Sequence, residues 1–176
     1  MREHTLNTAQ LKSHCENLHA GDKIFLSGTV YTARDAAHAR IFEIIEKGGK
    51  LPFPIENAVI YYAGPTPTPD NMAIGSCGPT TSKRMDPFTP KLLGLGLAAT
   101  IGKGERSDEV IESILQSRSV YLCAIGGAGA LAALCITACE VIAFDDLGCE
   151  SIKRLTFKDF PLIVGIDCHG GNIFTK

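Results

Sequence analysis

The feature that most constrains the fold is a train of short apolar runs, each closed by a glycine or an acidic turn. They are "KIFLSGTVY", "NAVIYYAGP", "LGLAATIGKG", "SVYLCAIGG", "CEVIAFDD" and "FPLIVGID". All are of strand length and rich in β-branched and aromatic residues. Several are apolar throughout rather than at alternate positions, the pattern of strands covered on both faces. Between them the period changes to that of a helix. Ala37, Ile41, Ile44 and Ile45 mark one buried face, with Asp35 as the expected cap and Gly48-Gly49 as the stop. Ser107 is expected to cap a further helix, with Asp108 and Glu109 in its first turn and Val110, Ile111, Ile114 and Leu115 facing inward. Strands alternating with helices predict an α/β class fold, a sheet covered by helices.

The 176 residues, 45% of them hydrophobic, suffice for one compact domain. We expect it over residues 21–176, preceded by a polar amphipathic segment, residues 1–20, whose apolar points are Leu6, Leu11 and Leu18. A net charge of −2 gives no global attraction to nucleic acid or to a membrane surface. The start "MREHTLNTAQLKSHCENL" lacks the apolar core of a signal peptide, and no run reaches the length of a membrane span. The seven cysteines are odd in number and include no C-x-x-C, which points to free thiols in a reducing cytoplasm. Cys135 and Cys139 fall four apart in "LAALCITACEV" and could share a helix face, but the apolar run favours core residues over metal ligands.

Two stretches carry possible chemistry. "VYLCAIGGAGALAALCITACEVIAFDD" reads as strand, G-x-G-x-x-A, helix and strand, followed by Asp145 and Asp146, the order of a dinucleotide-binding unit. The helix is short, however, and too little chain follows Asp145 for a second half. Glycines that let a helix pack closely on a strand explain the run as well. "GSCGPTTSKRMD" reads as a turn opening a helix with Thr80 as its cap, and Arg84 one turn on. Free amides at a helix start favour an anion, and an arginine fork suits a carboxylate. Arg34 precedes the expected cap Asp35, His38 follows it on the helix, and Lys103 sits between two glycines in "GKG". Together Arg34, Arg84 and Lys103 could hold a small dicarboxylate at both ends and favour charge developing on it as a neighbouring C–H bond loses its proton.

At these residues the chain resembles the β-type region of the iron–sulfur, class I fumarate hydratases, with the L-tartrate dehydratases as close relatives. The matching stretches are "GTVYTARDAAHAR", "IYYAGP", "GPTTSKRMD", "IGKGERS", "VYLCAIGGAGAL", "FDDLGCESI" and "DFPLIVGID", in the family's order from Gly21 onward. The resemblance implies a swivelling β/β/α layered domain that supplies one wall of an active site. It implies a hydro-lyase acting reversibly on fumarate and malate, with tartrate dehydration as the alternative. A nucleotide-binding module is the remaining, less favoured reading. The resemblance further implies that a [4Fe-4S] cluster belongs to a partner α subunit, in an α2β2 assembly, and that no cysteine of this chain ligates it. Carried over by position, Arg34, Arg84 and Lys103 hold the substrate, Thr80 matches the proposed base, and His38 matches the histidine of the same motif. Cys77, just before "GPTT", and Cys149, at the variable position of "LGxE", are departures from the small or apolar residues common there.

Overall fold

The computed structural model describes residues 1–175. Among the described residues are seven strands: β1 (Glu3–Asn7), β2 (Lys23–Thr32), β3 (Val59–Tyr61), β4 (Ala99–Gly102), β5 (Val120–Cys123), β6 (Ile136–Ala143) and β7 (Ile152–Ile166). Five α-helices accompany them: α1 (Thr8–His14), α2 (Asp35–Glu46), α3 (Thr89–Gly94), α4 (Asp108–Ser117) and α5 (Gly129–Leu134). Strands β1 to β5 run parallel and adjacent in that order. The long β7 is antiparallel to both β2 and β5, so β2, β3, β4, β5 and β7 form a closed ring. β6 pairs with the first part of β7.

Successive residues on the central strands point to opposite faces and fill two cores. Val59 and Tyr61 join Leu26, Val30, Ile101, Leu122, Phe157 and Phe160 between the parallel strands and the β6–β7 layer. Ile60 and Tyr62 join Ile41, Leu92, Val110 and Tyr121 between the same strands and helices α2, α3 and α4. That is the layered α/β arrangement expected from runs apolar at every position. The Ser107 cap of α4 is present, its side chain accepting from the Val110 amide.

Residues 1–20 contribute a strand as well as a helix. β1 pairs along β2, and Leu6, Leu11 and Leu18 enter the first core. "EHTLN" carries a single apolar residue because an edge strand needs only one inward side chain there. β7 begins at Ile152, well before the "FPLIVGID" run. In its first half Leu155 and Phe157 are buried while Arg154, Thr156 and Lys158 are exposed, so one face is wet and the run is not continuously apolar. Cys135 and Cys139, which could have shared a helix face, lie on different elements. α5 ends at Leu134, Cys135 is its C-cap, and Cys139 lies on β6, paired with Leu155. The β-branched pair in "CITACEV" and the available β7 edge favour strand over a longer helix.

A buried ion pair fastens the two loops that matter most for the site. The Arg106 side chain is fully enclosed, and its Nε donates to Asp86 Oδ1 at 2.7 Å. Its other nitrogens donate to Thr100 Oγ1 (3.1 Å) and Thr89 Oγ1 (2.7 Å). The guanidinium lies 4.9 Å from the centroid of Tyr121 and 5.4 Å from that of Tyr62. Asp86 Oδ2 accepts from the Ser107 amide at 2.7 Å, so each charge is satisfied on several sides. The Tyr121 hydroxyl donates to Gly104 O and accepts from the Ser82 hydroxyl, both at 2.9 Å. Removing one member of such a pair leaves the other charged and unpaired inside the protein. Asp86→Ala is therefore expected to lower unfolding free energy by about 3–5 kcal/mol in urea titrations. A loss under about 1 kcal/mol would show that the pair is not the fastening described.

Candidate active site

The carboxyl ends of β2, β3, β4 and β5 lie side by side, where ligands of parallel sheets bind. The chain leaving β2 brings Arg34, that leaving β3 brings Gly64, that leaving β4 brings Lys103, and that leaving β5 brings Gly126. Residues 79–82 thread between these ends. Pro79 bridges antiparallel to Ala63, and Thr81 bridges parallel to Lys103. The Thr80 amide donates to Tyr62 O at 2.7 Å, and the Ser82 amide donates to Lys103 O at 2.9 Å.

This corrects the expectation of a capped helix at Thr80. Only a four-residue 3-10 turn, Ser82–Met85, follows, with Thr81 at its N-cap position and no side-chain cap. Two of the amides that a helix start would leave free for an anion, those of Thr80 and Ser82, are taken by the ends of β3 and β4. Thr80 is half-buried, and the extended residue beside it, Thr81, makes no side-chain cap bond. The close approach of this segment requires Gly102, where a Cβ would come within 1.9 Å of Ser82 Oγ.

Arg34, not Asp35, is the N-cap residue of α2, and Asp35 is the first helical residue. The Arg34 side chain lies over Gly64, where a Cβ would meet Nη1 at 3.0 Å and Cδ at 3.2 Å. Its Nη2 is 3.2 Å from Glu150 Oε1 and 4.0 Å from Asp35 Oδ2. Arg84 Nε donates to Asp35 Oδ1 at 3.0 Å, and its Nη2 is 3.0 Å from Asp35 Oδ2. One carboxylate thus links the two arginines. Lys103 is exposed and lies over Gly126, its Nζ 3.8 Å from where a Cβ would be. No ion pair of Lys103 occurs among the described residues.

His38 stands behind this rim, with no exposed surface. Its Nδ1 is 2.8 Å from Arg34 O, and since a carbonyl only accepts, Nδ1 carries the proton. Nε2 is buried without a partner. The ring stacks on Phe88 and meets Tyr62 edge-on. Burial pushes its pKa down to about 4, so the imidazole is neutral. Its contact with the rim runs through the Arg34 backbone.

The glycine run after β5 does not build a dinucleotide site. α5 has only six residues, and β6 is antiparallel to β7 and not bonded to β5. Gly129 is needed for packing, since a Cβ there would meet Ser76 Oγ at 2.4 Å and Gly78 N at 2.9 Å. The sequence reading missed Glu150, Asp35 as a bridge, Gly64 and Gly126. Acids within a few places of a cation and glycines after apolar runs are too common to single out without the fold.

Among the described residues no group of three or more His, Cys, Asp or Glu could hold a metal ion. Cluster ligation needs thiolates. Burial raises the Cys15 and Cys77 thiols to about 12 and Cys123 to about 11, so these three favour the protonated form. The donor set of this chain does not fit an iron–sulfur cluster.

Fold and rim together define an α/β protein with clustered cations beside a threonine at the carboxyl ends of parallel strands. The chain belongs to the Fumarase C-terminus family, whose model matches residues 1–176. It is 38% identical over 156 residues to "Fumarate hydratase class I, aerobic" of Escherichia coli, covering 88% of this chain and 28% of that protein. Against "Fumarate hydratase 2" of Leishmania major it is 37% identical over 158 residues, covering 89% and 28%. Against "Putative L(+)-tartrate dehydratase subunit beta" of Methanocaldococcus jannaschii it is 37% identical over 180 residues, covering 99% and 92%. The chain therefore spans just over a quarter of these fumarate hydratases and nearly all of the β subunit.

The buried neutral His38 gives a pH signature. Its folded pKa lies below the ordinary 6.5, so the unfolded chain binds the extra proton first as pH falls. Stability from this residue is complete above 6.5 and is lost down to about 4. The loss totals about 3 kcal/mol. Denaturation of wild type and His38→Phe across that range should show a shallower pH slope in the variant. Equal slopes would mean that His38 is not held neutral.

Proposed function

We propose that this chain is the β subunit of a hydro-lyase and supplies one wall of an active site completed by an α subunit. The observation that carries the reading is the placement of Arg34, Arg84, Lys103 and Thr80 at the ends of three adjacent parallel strands. The substrate class is a small dicarboxylate, and the reaction is the reversible hydration of fumarate to (S)-malate. L-Tartrate dehydration is supported equally, because the relative matched over 92% of its own length carries that description. The [4Fe-4S] cluster belongs, in this reading, to the partner, since the donors here do not fit it. Seven free thiols support a reducing compartment, the cytoplasm. No helix among the described residues is long and apolar enough to cross a membrane.

The arginines offer planar forks to a carboxylate, and Lys103 offers a point charge. As the carbon next to a carboxylate loses its proton, negative charge grows on that carboxylate, and fixed cations lower the energy of that state. Thr80 Oγ1 is the candidate acceptor of the proton. A hydroxyl is a weak base, and it takes this role only in the field of neighbouring cations. The hydroxyl group leaves on the partner's side. His38 holds the Arg34 backbone from behind.

Anaerobic co-expression with an α partner tests the reading by assay on fumarate, malate and both tartrates. Turnover by the complex and none by this chain alone is expected, and a complex inactive on all four diacids would contradict it. In the active complex, Arg84→Ala should lower kcat/KM by roughly 10- to 100-fold with little change in melting temperature, because its side chain is half exposed. Thr80→Val should lower kcat by about 100-fold or more if the hydroxyl moves the proton. A loss of only a few-fold would remove Thr80 from that role.

A further inference from the structure

Resting on the functional reading above, we propose that Glu150 is a positioning residue for the reaction. Its carboxylate holds the Arg34 guanidinium against Gly64 and so sets the direction in which the fork meets a substrate carboxylate. An unrestrained arginine samples many rotamers, and a fork that must be found anew at each encounter binds weakly. Here the choice is made in advance. Glu150 Oε1 lies 3.2 Å from Arg34 Nη2 on one side, and the missing Cβ of Gly64 leaves room for the side chain on the other. Arg34 and Glu150 are equally enclosed, each side chain 21% exposed, so water screens the pair less than it would at an open surface.

Glu150 is itself fixed. Its Oε2 accepts from the Ala36 amide at 3.0 Å, tying it to the first turn of α2, where Arg34 begins the helix. The preceding loop is fastened to the same helix by Arg40, which pairs with Asp146 and lies over the Phe144 ring. Lys153 Nζ donates to the carbonyls of Gly148 and Cys149, both at 3.2 Å, and holds the loop from the other side. One carboxylate thus joins a helix amide to a guanidinium carried by the residue before that helix. A bare helix cap would need the amide contact alone.

The experiment separates these two roles. Glu150→Gln keeps an oxygen for the Ala36 amide and removes the charge that faces Arg34. In the assembled complex, KM for the diacid should rise roughly tenfold or more while the melting temperature stays nearly constant. In an Arg34→Lys background the same change should add less than about twofold, because the fork it directs is gone. Full multiplication of the two effects, or a fall in melting temperature with KM unchanged, would reduce Glu150 to a cap. A second readout needs no turnover. Phenylglyoxal should modify Arg34 faster in the full-length Glu150→Gln chain than in wild type, read by peptide mass, and an unchanged rate would overturn the proposal. Were the wild-type complex inactive on every diacid, the functional reading would fall while Arg34 reactivity still decided whether Glu150 holds the fork.

Discussion

The site depends on the lateral pairing of residues 79–82 between the ends of β3 and β4. Two backbone bonds, from Thr80 N to Tyr62 O and from Ser82 N to Lys103 O, fix that segment. Everything the rim presents is registered against it. Thr80 is held by its amide bond to Tyr62 O, Arg84 follows in the adjoining 3-10 turn, and Lys103 is the bridging neighbour of Thr81. Below it the enclosed Arg106–Asp86 pair, with Tyr121 and Ser82, ties the same segment to the loop after β4. The support is backbone pairing and one satisfied buried charge pair, both stiffer than loop contacts alone.

Electrostatically the rim is a partly neutralised cation cluster. Asp35 lies between Arg84 and Arg34, and Glu150 answers Arg34 from the far side. These acids keep two long side chains ordered before any ligand arrives, while Lys103 stays free of a carboxylate among the described residues. A diacid entering such a place meets charges whose directions are already set, which is the condition for favouring a transition state over a ground state.

Much of the fold was legible. The continuously apolar strands and the Ser107 cap followed from composition and period, because burial on both faces leaves a local trace. β1 and the first half of β7 were not read. An edge strand with one inward Leu6 and a strand with a wet face at Arg154 and Thr156 carry weaker traces. The helix expected at Thr80 does not form there because the Thr80 and Ser82 amides pair with strand ends distant in sequence, which local spacing does not reveal. Arg34, Arg84 and Lys103 were named from charge beside turns and from family resemblance, and the fold brings them to one rim. Glu150 was missed, since its meaning comes from a partner 116 positions away, across the ring.

The most direct test is a crystal structure of this chain assembled with an α partner and holding a dicarboxylate. Carboxylate oxygens are expected about 2.7–3.0 Å from the guanidinium nitrogens of Arg34 and Arg84, with Lys103 on the same molecule. A diacid bound elsewhere, touching none of Arg34, Arg84 and Lys103, would contradict that expectation.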